Sequence, residues 1–135
     1  MMEEEKMDLK FQEYFKEKGY TDLTAIQQAV YSPLKQGESI LGLAPTGSGK
    51  TLAYVIPLLE ELLQDQGIQM MVVAPSQELA VQIAAVINSW AALKKLKVVS
   101  LIGGANVKRQ LEKLKKKPEI IVGTPGRMLE LAEAK

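Results

Sequence analysis

Ala44-Pro45-Thr46-Gly47-Ser48-Gly49-Lys50-Thr51 is the segment of this sequence best equipped for chemistry. Its two spaced glycines let the backbone turn so that several N–H groups aim inward, forming a nest for anions. A helix opening at Lys50 would add unpaired N–H donors and a partial positive charge. The Lys50 ammonium is long enough to reach the outer phosphates of a nucleoside triphosphate, and the Thr51 hydroxyl can ligate Mg²⁺ that shares phosphate oxygens. Only Ala44 departs from the strict phosphate-loop template, which has glycine there. The bland alternative is a glycine-rich turn capping an ordinary helix. Gly-Lys-Thr behind a spaced glycine, between an apolar run and a helical pattern, favours phosphate binding.

Other chemistries are narrowed by composition. The 135 residues contain no cysteine and no histidine. Disulfide frameworks, thiolate metal sites and histidine-based nucleophile activation are therefore excluded within these residues. Carboxylates, lysines, hydroxyls, backbone amides and bound ions remain. At 47% apolar and 24% charged, the composition is that of an ordinary soluble domain. The start, MMEEEKMDLK, lacks the pattern of a signal peptide, and no apolar run is long enough to span a membrane, so a cytoplasmic protein without membrane contact is expected. Residues 1–67 hold 6 basic and 11 acidic side chains, whereas residues 68–135 hold 11 basic and 5 acidic. A polyanion facing the second half would fit that asymmetry.

The elements that must position the loop alternate between helix and strand. Leu9, Phe11, Tyr14 and Phe15 predict a first helix, stopped by Gly19. Ile26, Ala29, Val30 and Leu34 predict a second, with Thr24 as N-cap and Pro33 and Gly37 at its end. Ser39–Leu43 reads as a buried strand before the loop. Lys50 to about Gln64 reads as a long helix, bent or ended near Pro57. Strands follow at Gln69–Ala74, Lys97–Ile102 and Glu119–Gly123. Helices are expected at Gln77 to about Leu93, with Leu79, Ile83, Val86, Ile87 and Trp90 inward, at Val107–Lys116, and from Pro125. Apolar runs alternating with helices indicate an α/β fold with a parallel sheet flanked by helices. Ligands of such sheets sit beyond the carboxyl ends of the strands. There the sequence places LAPTGSGKT, APSQELA, IGGANV and GTPGR, all rich in small and turn-forming residues.

Those loops also carry a resemblance. Gly19-Tyr20-Thr21-Asp22-Leu23-Thr24-Ala25-Ile26-Gln27 resembles the Q motif of the DEAD-box RNA helicases. The phosphate loop follows at the family's spacing. Pro75-Ser76-Gln77-Glu78-Leu79-Ala80 is similar to the family's Pro-Thr-Arg-Glu-Leu-Ala element, Gly103-Gly104 to its double glycine, and Thr124-Pro125-Gly126-Arg127 to its Thr-Pro-Gly-Arg element. The likeness covers the chain from about residue 9 onward. Leu23 stands where the family usually has proline, and Gln77 where it has arginine.

The resemblance implies an incomplete RecA-like P-loop NTPase domain over residues 1–135, with the Q motif at 19–27 and the phosphate loop at 44–51. It implies an ATP hydrolase that unwinds short RNA duplexes, with ATP and Mg²⁺ as cofactors. Thr24, Gln27 and Ala44 to Thr51 would hold the nucleotide, Gln27 reading the adenine edge. A glutamine suits that edge because it both donates and accepts. Thr51 would ligate the metal, and Lys50 is the one catalytic candidate. Pro75, Ser76, Gln77, Gly103, Gly104, Thr124, Pro125, Gly126 and Arg127 would line a sequence-independent path for an RNA backbone. For adenine stacking, Met2 stands where the family has an aromatic, while Phe11 and Phe15 suit the core better. Trp90 reads as core, and Lys113, Lys115, Lys116 and Lys117 as a solvated helix end.

The family's Asp-Glu-Ala-Asp motif would come after Lys135, as would its Ser-Ala-Thr element and second RecA-like domain. Glu78 and Glu119 have no motif context as substitutes, so hydrolysis by this chain alone is not expected. In the family's sheet the strands carrying those two elements lie between the phosphate-loop strand and the strand before Pro75. Unpaired strand edges are expected in consequence, with either self-association through them or a rearranged sheet. Two other readings stay open: a non-catalytic nucleotide-binding module, and an unrelated P-loop kinase or ATPase.

Overall fold

The computed structural model describes residues 7–44, 49–103 and 106–133. The chain forms two compact units, Met1–Glu61 and Leu62–Lys135.

Three helices make up the first unit: α1 (Leu9–Glu17), α2 (Ala25–Lys35) and α3 (Lys50–Glu61). The Asp8 side chain caps α1, accepting from the Lys10 amide at 2.9 Å. Phe11 and Phe15, one turn apart, are its buried face. Gly19 leaves the helix at φ 89°, a conformation that favours glycine. Thr24 caps α2 through a reciprocal exchange with Gln27. The chain passes Pro33 inside α2 and turns at Gly37, φ 83°. Glu60 of α3 accepts the Tyr31 hydroxyl at 2.6 Å and the amide of Asp8, so one carboxylate serves all three helices. Pro57 does not end α3, which runs four residues further: a proline removes one N–H, while buried Val55, Ile56 and Leu59 keep the helix docked.

Ser39–Leu43 is not a strand. None of the strands among the described residues pairs with it, and Leu41 and Leu43 stand 86% and 83% exposed. Its apolar run satisfies the pattern of a buried strand, but a strand exists only through ladder bonds to a neighbour.

The second unit holds β1 (Met70–Val73), α4 (Gln77–Ala91), β2 (Val98–Leu101), α5 (Val107–Lys115), β3 (Ile120–Gly123) and α6 (Pro125–Glu133), with a short 3₁₀ turn at Ala92–Lys94. The strands form a parallel sheet in the order β1-β3-β2. Val73, Gly123 and Leu101 lie side by side in register. A β-carbon on Gly123 would lie 2.3 Å from the Leu101 carbonyl oxygen, so close approach of β3 to β2 requires glycine there. The core gathers Ile120 and Val122 of β3, Met70, Leu101, and Ile83, Ile87 and Trp90 of α4. Leu79 is exposed and Val86 only half-buried, against expectation; Ala80, Ala84 and Ala91 take the inner positions because small side chains let α4 approach the sheet.

Candidate nucleotide site and polyanion edge

In the first unit the nucleotide candidates converge on Gln27. Its Oε1 accepts the Thr24 amide at 2.9 Å, while the Thr24 hydroxyl accepts the Gln27 amide at 3.4 Å. Its Nε2 donates to the Gly49 carbonyl at 3.2 Å. The motif glutamine is therefore fastened to the end of the phosphate loop and is only 5% exposed. A glutamine amide has two hydrogens and two acceptor lone pairs. The bonds to Thr24 and Gly49 use one of each, and one of each is left.

Gly49 has φ 84°, and a β-carbon there would lie 2.5 Å from Gln27 Nε2. The positive φ and the close approach of Gln27 both call for glycine at position 49. The Gly49 carbonyl also accepts the Ala53 amide at 3.1 Å, the first helical bond of α3. Lys50 is exposed at the opening of α3, and Thr51 is half-buried beside it. The expectations for Pro45, Thr46, Gly47 and Ser48 lie outside the described residues; Ala44 is half-buried. Phe11 and Phe15 are core residues and are not available to stack on a base.

In the second unit the strand ends bring the RNA candidates to one edge. Register alignment of Val73, Gly123 and Leu101 means that the loops after β1, β3 and β2 leave the sheet at one level, neighbours spaced by about 4.8 Å. Helices α4, α6 and α5 each start just past those ends. Ser76 caps α4 by accepting the Leu79 amide at 3.2 Å, and Asn106 caps α5 by accepting the Arg109 amide at 3.3 Å. Pro125 opens α6, where its missing N–H costs nothing. Three helix N-termini facing one way favour anions along the edge. Pro75, Ser76, Gln77, Pro125 and Gly126 are exposed, and Gly103 and Thr124 half-buried. Gln77 Oε1 lies 3.7 Å from where a β-carbon on Gly103 would stand, so those two candidates meet. Gly104 lies outside the described residues.

Arg127 differs from the rest. Its side chain is only 13% exposed, its Nε lies 2.9 Å from Glu130, and its Nη1 donates to Gln110 Oε1 at 3.3 Å. Gln110 was not among the sequence candidates. A polar residue on the inward stripe of a basic amphipathic helix was the available signal.

Glu119 sits at the opposite ends of the strands and is completely buried. It accepts the Lys97 amide at 2.6 Å and the Asp65 amide at 2.9 Å. Burial pushes its carboxyl up, but those bonds, one from its own amide and the charge of Lys97 outweigh that and hold it below its ordinary value. It is a strand-end anchor far from the candidate edge. Lys113, Lys115, Lys116 and Lys117 are exposed at that end too, and Trp90 is core, as the sequence indicates.

Comparison with known proteins places this geometry. The family model for DEAD/DEAH box helicases matches residues 24–135. The chain is 48% identical over 125 residues to a probable ATP-dependent RNA helicase, YfmL, of Bacillus subtilis (strain 168), covering 92% of this chain and 33% of that protein. It is similar to the crystal structure of a DEAD box protein from the hyperthermophile Methanococcus jannaschii, with TM-score 0.90 and 35% identity over 97% of this chain and 36% of that one. It is also similar to Mss116p, solved with single-stranded RNA and AMP-PNP, with TM-score 0.85 and 31% identity over 94% of this chain and 27% of that one. The chain thus spans about a third of the length of the curated relatives it matches. With that family model covering most of its residues, the chain belongs to the DEAD/DEAH box helicase family.

Proposed function

We propose that this chain is the ATP-binding and RNA-backbone-binding segment of an ATP-dependent RNA helicase, working in the cytoplasm, and that residues 1–135 are part of one ATP-binding domain. The observation that carries the reading is Gln27 fastened to the Gly49 carbonyl with one donor and one acceptor to spare. That pair matches the adenine edge, which offers an amino donor beside a ring-nitrogen acceptor. Guanine presents a carbonyl acceptor where adenine presents the amino group, so it would leave Gln27 mispaired.

The residues present fit a triphosphate. The start of α3 at Lys50 supplies N–H donors for phosphate oxygens. Lys50 would neutralise the outer phosphates, and the Thr51 hydroxyl would be one ligand of Mg²⁺. Among the described residues there is no cluster of three His, Cys, Asp or Glu side chains to hold a metal unaided. The metal would therefore be shared with phosphate oxygens. When bound, the nucleotide supplies the phosphoanhydride bond whose cleavage drives the parent helicase. This chain's part is to bind and orient, because the acidic motif that would hold the water is not in its 135 residues. The relative named as an ATP-dependent RNA helicase and the neighbour solved with RNA support both ligands.

Titration calorimetry with Mg-ATP and Mg-GTP tests the reading. ATP should bind about tenfold more tightly than GTP or better, the worth of one to two matched hydrogen bonds. Equal affinities would reject the assignment of Gln27 to adenine.

A further inference from the structure

Gln110 is 3% exposed on a helix whose neighbouring positions Lys108, Arg109, Glu112 and Lys113 all face solvent. Burying a primary amide is costly unless both of its ends are satisfied. Here both are. Nε2 donates to the Ile102 carbonyl at 2.9 Å, immediately before Gly103, and Oε1 accepts Arg127 Nη1 at 3.3 Å. Arg127 is in turn held by Glu130 at 2.9 Å. One side chain from α5 therefore ties the loop after β2 to the first turn of α6 after β3.

We infer that Gln110 is a positioning residue for the polyanion edge, and that Arg127 works with it as a brace between two loops instead of as a direct phosphate ligand. The inference rests on the RNA-binding reading of that edge. An arginine whose guanidinium is spent on Glu130 and Gln110 contributes little charge to a phosphate. Its value lies in fixing where Gly103 and the first-turn amides of α6 sit, the Thr124 amide being already bonded to the Leu101 carbonyl at 3.2 Å. Backbone donors carry no side-chain charge, so their placement controls affinity without adding to the count of neutralised phosphates.

Two properties of oligonucleotide binding separate brace from ligand. A residue that neutralises a phosphate contributes to the slope of log affinity against log salt; a positioning residue does not. Binding of a labelled oligouridine to the 135-residue chain, measured over a salt series, is the test. Gln110→Leu should weaken binding by about tenfold, on the scale of one disrupted buried hydrogen-bond pair, with the salt slope unchanged. Arg127→Gln should do the same, and the double variant should be no worse than the weaker single, because both break one brace. Gln110→Glu keeps the Arg127 bond, loses the donation to Ile102, and should weaken binding too; it is the check if the leucine variant does not fold. ATP affinity should be unaltered in all of them.

A slope that falls by about 1 in Arg127→Gln would make Arg127 a phosphate ligand and overturn the brace. Wild-type affinity in both Gln110 variants, or strictly additive losses, would overturn it as well. A wild-type chain that binds no oligouridine at all would instead reject the RNA reading beneath it.

Discussion

Polar side chains with few degrees of freedom left define the working parts of this chain. Gln27, Gln110, Glu60 and Glu119 are all buried or nearly so, and each joins segments distant in sequence. Because a buried polar atom without a partner costs about 1–3 kcal/mol, each fixes a local geometry as well as contributing to stability. Glu119 allows a pH test. Its folded carboxyl lies below its ordinary value, so its contribution is present above the unfolded value near 4.5 and is lost as pH falls through the folded one. Glu119→Gln should cost about 2 kcal/mol at neutral pH, the scale of hydrogen bonds to a charged group. The gap from wild type should narrow as pH drops below 4.5, which urea unfolding at a series of pH values measures. A gap independent of pH would mean that the buried carboxyl is not ionised.

Elements were legible in the sequence wherever they form from their own residues or from neighbours in this chain. The Thr24 cap with Gln27, the glycine stop at Gly19 and the opening of α6 at Pro125 are local chemistry, and each stands where the pattern puts it. The three strands of the second unit were legible because their partners are present. Ser39–Leu43 was not: its pattern specifies a strand, and no strand among the described residues pairs with it. Gln110 was missed for a related reason, since a contact to Ile102 and Arg127 depends on the order β1-β3-β2 and not on spacing along the chain. The close packing of β3 on β2 gives the element-scale prediction. Gly123→Ala sets a β-carbon against the Leu101 backbone oxygen, which cannot swing aside as a side chain would. A loss of about 3 kcal/mol in denaturant unfolding is expected, at the top of the range for overpacking. A neutral outcome would show that the strands can separate without cost.

For the molecule as a whole, the sheet has two strands with an unpaired side among the described residues, β1 and β2. On β1, Met71 is 64% exposed. Such edges invite pairing with another chain. Self-association of the 135-residue chain is proposed on that ground, with Met71→Lys reducing it. Size exclusion with light scattering at rising concentration measures it; a monomer throughout would exclude it. On the proposed function, labour is divided at this scale. The first unit carries the nucleotide candidates, the second an edge of helix N-termini suited to a phosphate backbone. Membership of the helicase family accounts for finding both in one short chain. The central claim is that Gln27 makes the phosphate loop an ATP site. Its most direct test is the ratio of ATP to GTP affinity in wild type and in Gln27→Ala. The expected result is a ratio well above one that collapses towards one in the variant, with ATP binding weakened. An unchanged ratio would contradict the claim.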